Sequence, residues 1–185
     1  MQYSCFNTFE RKFYPQYDPL AYSSTTTEDM VAFNTVDLDV SQTLLANASG
    51  NGSFNVQYPD SFDTKIFSVD PTGSMIVKQS GLYSVELTTV ILSTLNGAGT
   101  RGHYAIVDGN EGMKYGYTNA LTNQDNLPNC TSLYSSFTLQ LVAGQTITHR
   151  FRHNSPADIG LVGTDVVGTD YWTKAQIVLI MPKTV

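Results

Sequence analysis

Charged side chains are scarce in this sequence: ten Lys and Arg and sixteen Asp and Glu make up 14% of its 185 residues, against ~25% in an ordinary soluble domain. The ten cationic residues are scattered and the net charge is −6. No basic stripe exists to neutralise a phosphate backbone, so nucleic-acid binding is not expected. Long apolar runs are missing too. Val90 to Leu92 and Ile177 to Met181 are typical of the longest, far short of the ~18 residues a membrane span needs, so a soluble protein without membrane insertion is expected. The N-terminus lacks a basic region followed by an apolar one, because Ser4, Asn7, Thr8, Glu10 and Arg11 interrupt it; the expectation is a chain made without export, or one whose signal has been removed. Cysteine is limited to Cys5 and Cys130. Their separation fits neither a zinc-ligand set nor a redox pair, so two free thiols are expected, with a single bridge the alternative. Asn47-Ala-Ser49, Asn51-Gly-Ser53 and Asn129-Cys-Thr131 fit a glycosylation pattern and are read as loop residues.

What is present is apolar and aromatic content, 41% and 11%, which is enough for a full-sized core and excludes a disordered chain. The length suits one domain. Residues 1–30 differ from the rest and read as an N-terminal arm: Tyr3, Phe6, Phe9, Phe13, Tyr14, Tyr17 and Tyr22 are interrupted by Pro15 and Pro19. Asn7 and Glu10 stand at capping-box spacing for one helical turn. Seven aromatics exposed on a free arm would be costly, so the arm is expected to pack on its own body or on neighbouring subunits. Residues 31–185 then read as a single domain of short strands without a convincing helical period. The expected strands are Val31 to Val36, Gln42 to Leu45, Phe54 to Tyr58, Thr64 to Val69, Met75 to Lys78 and Leu82 to Leu95. They continue with His103 to Val107, Gly112 to Tyr117, Ser132 to Val142, Thr146 to His153 and Tyr171 to Met181. Asp70-Pro-Thr-Gly73, Asp108-Gly109-Asn110 and Ala143-Gly144 carry turn chemistry. Asn119 to Asn129 and Asp158 to Asp170 read as loops. Strands in succession without intervening helices predict an all-β fold, an antiparallel jelly-roll sandwich of two sheets with eight to ten strands.

Three stretches carry a family likeness. Val31-Ala-Phe33 looks like an opening strand. Thr72-Gly-Ser-Met-Ile-Val-Lys-Gln-Ser-Gly-Leu-Tyr83 looks like a strand pair whose Gly-x-Tyr leads into a central strand. Ser136-Phe-Thr-Leu-Gln-Leu-Val-Ala-Gly-Gln-Thr-Ile147 is a strand, an Ala-Gly turn and a strand, and Tyr171 to Ile180 would be the last strand. Together they resemble the C1q and tumour necrosis factor jelly-roll superfamily over Val31 to Pro182. The resemblance implies a homotrimer packed about a threefold axis through one sheet; patterning alone leaves a pentamer open.

Motifs for chemistry are sparse. Gly97-Ala-Gly-Thr-Arg-Gly102 matches a dinucleotide fingerprint, but no helix follows to hold a pyrophosphate, and a flexible inter-strand loop is expected instead. Asp108, Asn110 and Glu111 offer oxygens without a complete calcium-loop spacing, so a hairpin turn is expected there. Asn123 and Asp125 on one loop, and Asp158, Asp165 and Asp170 on another, are candidate ligand contacts. His149 and His153 share a strand face with Phe151, and these three are candidate interface residues. The two imidazoles, two pleats apart at ~13 Å, cannot share one metal within a subunit, although around a symmetry axis they could meet or sense pH. No catalytic constellation, metal site or cofactor site is expected. Low charge with many Tyr, Thr and Asn suits large neutral contacts. The functional expectation is therefore a non-enzymatic virion structural protein, a capsid or fibre-head component that self-assembles and contacts neighbouring capsid proteins. The alternative is a trimeric ligand-binding module, secreted or on the cell surface, that recognises a receptor or glycan.

Overall fold

The computed structural model describes residues 33–45, 53–93, 99–122, 129–166 and 172–182. The arm aromatics Tyr3, Phe6, Phe9, Phe13, Tyr14, Tyr17 and Tyr22 lie outside the described residues, as do Asn123, Asp125 and Asp170. Within them there is no helix, and twelve antiparallel strands build two six-stranded sheets. The expected all-β sandwich of two sheets is what forms, with twelve strands among the described residues where eight to ten were expected.

The first sheet is organised by β6 (Gly81–Ser93). Its full length pairs with β9 (Asn129–Leu141) on one edge. Its other edge is shared: β12 (Lys174–Pro182) pairs from Gly81 to Thr88, and β11 (Ile159–Leu161) pairs from Ile91 to Ser93. Beyond these lie β1 (Phe33–Asp37) on β12 and β2 (Gln42–Leu44) on β11. At the break between β11 and β12 the Val90 N–H would lose its partner. Thr173 supplies one, its Oγ1 accepting from Val90 N at 3.1 Å, while the N–H of Val162 donates to Val90 O at 2.9 Å.

The second sheet runs β4 (Phe67–Val69), β5 (Met75–Val77), β10 (Thr146–His153), β7 (Gly99–Val107) and β8 (Tyr115–Thr122). β3 (Ser53–Asn55) joins β10 beyond its pairing with β5. The two sheets close on each other at β8 and β9, where Thr118 Oγ1 donates to Tyr134 O at 3.2 Å.

Alternation does the packing. Tyr83, Val85, Leu87, Thr89 and Ile91 of β6 all point into the sandwich and are almost wholly buried, facing Ile147, Phe151 and Ala105 of the opposite sheet. Such side chains stabilise by ~1.5–3 kcal/mol each when fully buried, so the period-two pattern is what holds the layers together.

The turns form where composition placed them. Asp70 Oδ1 accepts from Thr72 N, Thr72 Oγ1 and Ser74 N, and Gly73 N donates to Asp70 O. Asp108 and Gly109 both have positive φ and Asn110 N donates to Val107 O, the backbone twist that suits a two-residue hairpin. Some boundaries differ from expectation. Gly99 to Gly102 belong to β7 instead of a flexible loop, and Asn119 to Thr122 extend β8 into the expected polar loop. The segment Asp158 to Asp170 was expected to be all loop, yet it contains β11. Three residues, Ile159-Gly-Leu161, are too few to show a period, and β2 and β6 on either side make them a strand.

Candidate functional site

All three histidines of the sequence, His103, His149 and His153, lie inside the sandwich, each no more than 1% exposed. His103 comes from β7, and His149 and His153 from β10. The expectation that His149, Phe151 and His153 form an outward interface is corrected. They do share one face, but it is the core face, because β10 is central in its sheet and its other face carries Arg150 and Arg152. Phe151 is packed in the apolar core.

His103 and His149 were not connected by their sequence positions. The register brings them together: His149 pairs with Ala105 and Phe151 with His103, so the two imidazoles are diagonal neighbours. His149 Nε2 and His103 Nδ1 are 3.4 Å apart. Thr89, inward-facing on β6 of the opposite sheet, reaches both, with Oγ1 at 2.7 Å from His103 Nδ1 and 3.0 Å from His149 Nε2. Tyr58, buried after β3, places its hydroxyl 2.8 Å from His149 Nδ1. One assignment of protons serves all three short contacts. Tyr58 donates to His149 Nδ1, His149 Nε2–H donates to Thr89, and Thr89 donates to His103 Nδ1. The proton of His103 then sits on Nε2, which has no hydrogen-bond partner among the described residues. The reversed direction would strand the Tyr58 proton and leave a bare Nε2 as well, so the forward direction satisfies more groups.

The electrostatics follow from burial. Removal from water pushes His103 down to about 4. His149 is held well below the ordinary histidine range, first by burial and then by His103 beside it. The Tyr58 hydroxyl is pushed well up by burial and by Asp37. At the end of the same face, His153 Nδ1 accepts from Ser155 N at 3.2 Å, and its ring stacks 5.5 Å from that of Phe54. Burial and Arg101 lower His153, outweighing the upward pull of the Leu45 carbonyl and of Asp158.

A second feature is the outward face of the first sheet. In register across β9, β6, β12 and β1 run the rows Tyr134, Thr88, Lys174, Asp37 and Ser136, Glu86, Gln176, Thr35. A further row sets Thr138 beside Ser84 and Val178. Tyr134 is 56% and Ile180 45% exposed on this face, with Met181 and Val142 exposed at the end where Gly81 pairs with Leu141 and Pro182. Its charges are Glu86 on β6 and, on the outer strands, Lys174 and Asp37 side by side. Burial and Glu86 together raise the Tyr134 hydroxyl.

The candidate loop acids have structural partners. Asp165 Oδ1 accepts from Ser41 N at 2.8 Å and Ser41 Oγ at 2.7 Å, tying together the segments before β2 and after β11. Asp158 acts electrostatically on His153. Asp108 accepts from Thr146 N and Gln145 Nε2, and Glu111 pairs with Arg150 at 2.8 Å, so both serve the hairpin and its neighbour.

Two packed antiparallel sheets with this strand order make the chain an all-β jelly roll. It is similar in structure to the Eiger tumour necrosis factor of S. frugiperda, at 14% identity and a TM-score of 0.56, over 84% of this chain and 96% of that one. At that identity the likeness is one of fold. No protein-family model matches the sequence, and no curated protein matches it.

Proposed function

We propose that this chain is a non-enzymatic assembly module that joins copies of itself through the outward face of the sheet built by β1, β12, β6 and β9. The observation that carries this reading is the character of that face. Exposed Tyr134 and Ile180 stand among Ser, Thr and Gln with few charges to desolvate. A surface of this kind can be covered by its own copy with few charges to bury, Glu86 being the central one. Around a threefold axis the contact would be heterologous and close into a ring. The setting that composition favours is a virion surface, a capsid or fibre head in which the aromatic arm grips neighbouring capsid proteins. The likeness to a tumour necrosis factor supports the second setting, a trimeric module that binds a receptor or glycan through its loops.

Native mass measurement of the full chain at micromolar concentration tests the assembly reading. A trimer is the expected result, a pentamer would replace the threefold arrangement by a fivefold one, and a lone subunit at every concentration would remove both. A chain lacking residues 1–25 separates the settings. The virion reading expects a folded domain with weakened particle association, whereas unchanged assembly together with glycan-array or receptor binding favours the module.

A further inference from the structure

We propose that Thr89, His103, His149 and Tyr58 form a proton-operated latch between the two sheets, closed while both imidazoles are neutral and released when the surroundings are acidified. Three features of the geometry support it. First, the hydrogen bonds cross the sandwich, since Thr89 belongs to β6 of one sheet and both histidines to β7 and β10 of the other. Second, the chain of donors has no vacancy. A second proton on His103 would make Nδ1 a donor to Thr89, turning the Thr89 hydroxyl proton away from its acceptor. A second proton on His149 would do the same to the Tyr58 hydroxyl. Each added proton thus orphans another buried donor as well as creating a charge. Third, the two rings lie against each other, with Nε2 of one 3.4 Å from Nδ1 of the other, so two imidazolium ions there would repel at contact.

Among the described residues, nothing packed around the pair offsets this. From β6 come Leu87, Thr89 and Ile91, from β10 Ile147, Phe151 and His153, and from β7 Ala105 and Arg101, the last a cation. Tyr58 brings no charge of its own; Asp37 acts on it and only raises its hydroxyl. Asp158, the carboxylate that favours a charged histidine, acts on His153.

The direction of the effect follows from linkage. A histidine whose folded affinity for protons lies below its unfolded value of ~6.5 contributes stability that is whole above that pH. That stability is lost as the pH falls from ~6.5 towards the folded value, about 4 for His103. The carboxylates act lower. At Asp70, burial is outweighed by the hydrogen bonds from Thr72 and Ser74, and Asp108 is lowered by those from Thr146 and Gln145, so both lose their contribution only beneath the ordinary carboxylate range. The interval from pH ~6.5 down to about 5, above the range in which carboxylates begin to take up protons, is therefore where the histidines act.

The test is urea unfolding of the full chain at pH 7.5 and pH 5.0, followed by the fluorescence of Trp172, the sole tryptophan. For His103 the unfolding constant should rise about 25-fold between the two pH values, and for His149 by at least as much. H103N keeps an acceptor near the Nδ1 position and cannot titrate in this range, so it should reduce the pH-dependent change about 25-fold; H149Q should do likewise. Equal pH dependence in wild type and both variants would overturn the latch. Should either variant fail to fold, the histidine ring resonances of the folded wild-type protein decide: no titration of His103 or His149 above pH 5 supports the proposal, and midpoints near 6.5 sink it. The fold-changes are per subunit, and wild type and variants are compared at one protein concentration, so the difference between them reads the latch whether the assembly proposed above forms or not.

Discussion

Thr89 shows how much one side chain can carry. Alternation points Thr89 inward as it would a Val, and a buried hydroxyl needs a partner; here it is the junction of two imidazoles. Thr89→Val preserves the shape and removes the oxygen, leaving His149 Nε2–H and the His103 Nδ1 lone pair only their long 3.4 Å contact with each other. Two short bonds give way to one long one, and an unmet buried group costs ~1–3 kcal/mol, so a loss of about 2 kcal/mol is expected by urea unfolding at pH 7.5. A change within ~0.5 kcal/mol, typical of a neutral surface substitution, would show that the contact carries no net energy. The sequence placed His149 and His153 on one strand face correctly. It could not show that His103, 46 positions earlier, lies diagonal to His149, because that follows from the pairing of β7 with β10.

Between strands, stability rests on turns whose backbone only certain residues adopt. Gly73 has φ +77°, and a Cβ there would meet the Val56 carbonyl oxygen at 2.3 Å, whereas at Gly109, φ +70°, nothing lies within 4 Å. The pair separates two costs. Gly109→Ala should destabilise by about 1 kcal/mol through backbone strain alone, and Gly73→Ala by at least about 2 kcal/mol, since β5 or the Val56 segment must also shift. Thermal melts of the two variants check this, and equal losses would contradict the close approach. Most strands were legible, because alternation and turn residues are local. β11 was not, since its three residues become a strand only by bridging β2 and β6.

For the whole molecule, the proposed assembly covers the outward face of the first sheet with a second copy. Tyr134→Arg puts a cation in the row with Thr88 and Lys174, where an assembled face would have to bury it. The expected outcome is dissociation to single subunits with the melting temperature of the isolated domain retained, measured by native mass and circular dichroism. An assembly of unchanged size would place the contact elsewhere. Because the substitution lies on the side of the sheet away from Thr89, the pH response of the latch should persist in the dissociated protein.

The sequence by itself determined the fold class, the antiparallel layers, the turn positions and which side chains share a strand face, all of which follow from period-two alternation and the conformational preferences of Gly, Pro, Asp and Asn. Only the tertiary structure decided that the shared face of His149 and His153 points inward, that Thr89 meets two histidines across the sandwich, and that Asp165 ties two loops. The physical reason is that strand register and sheet stacking are collective. They are set by how all the apolar faces pack at once, and no short window of residues contains that information.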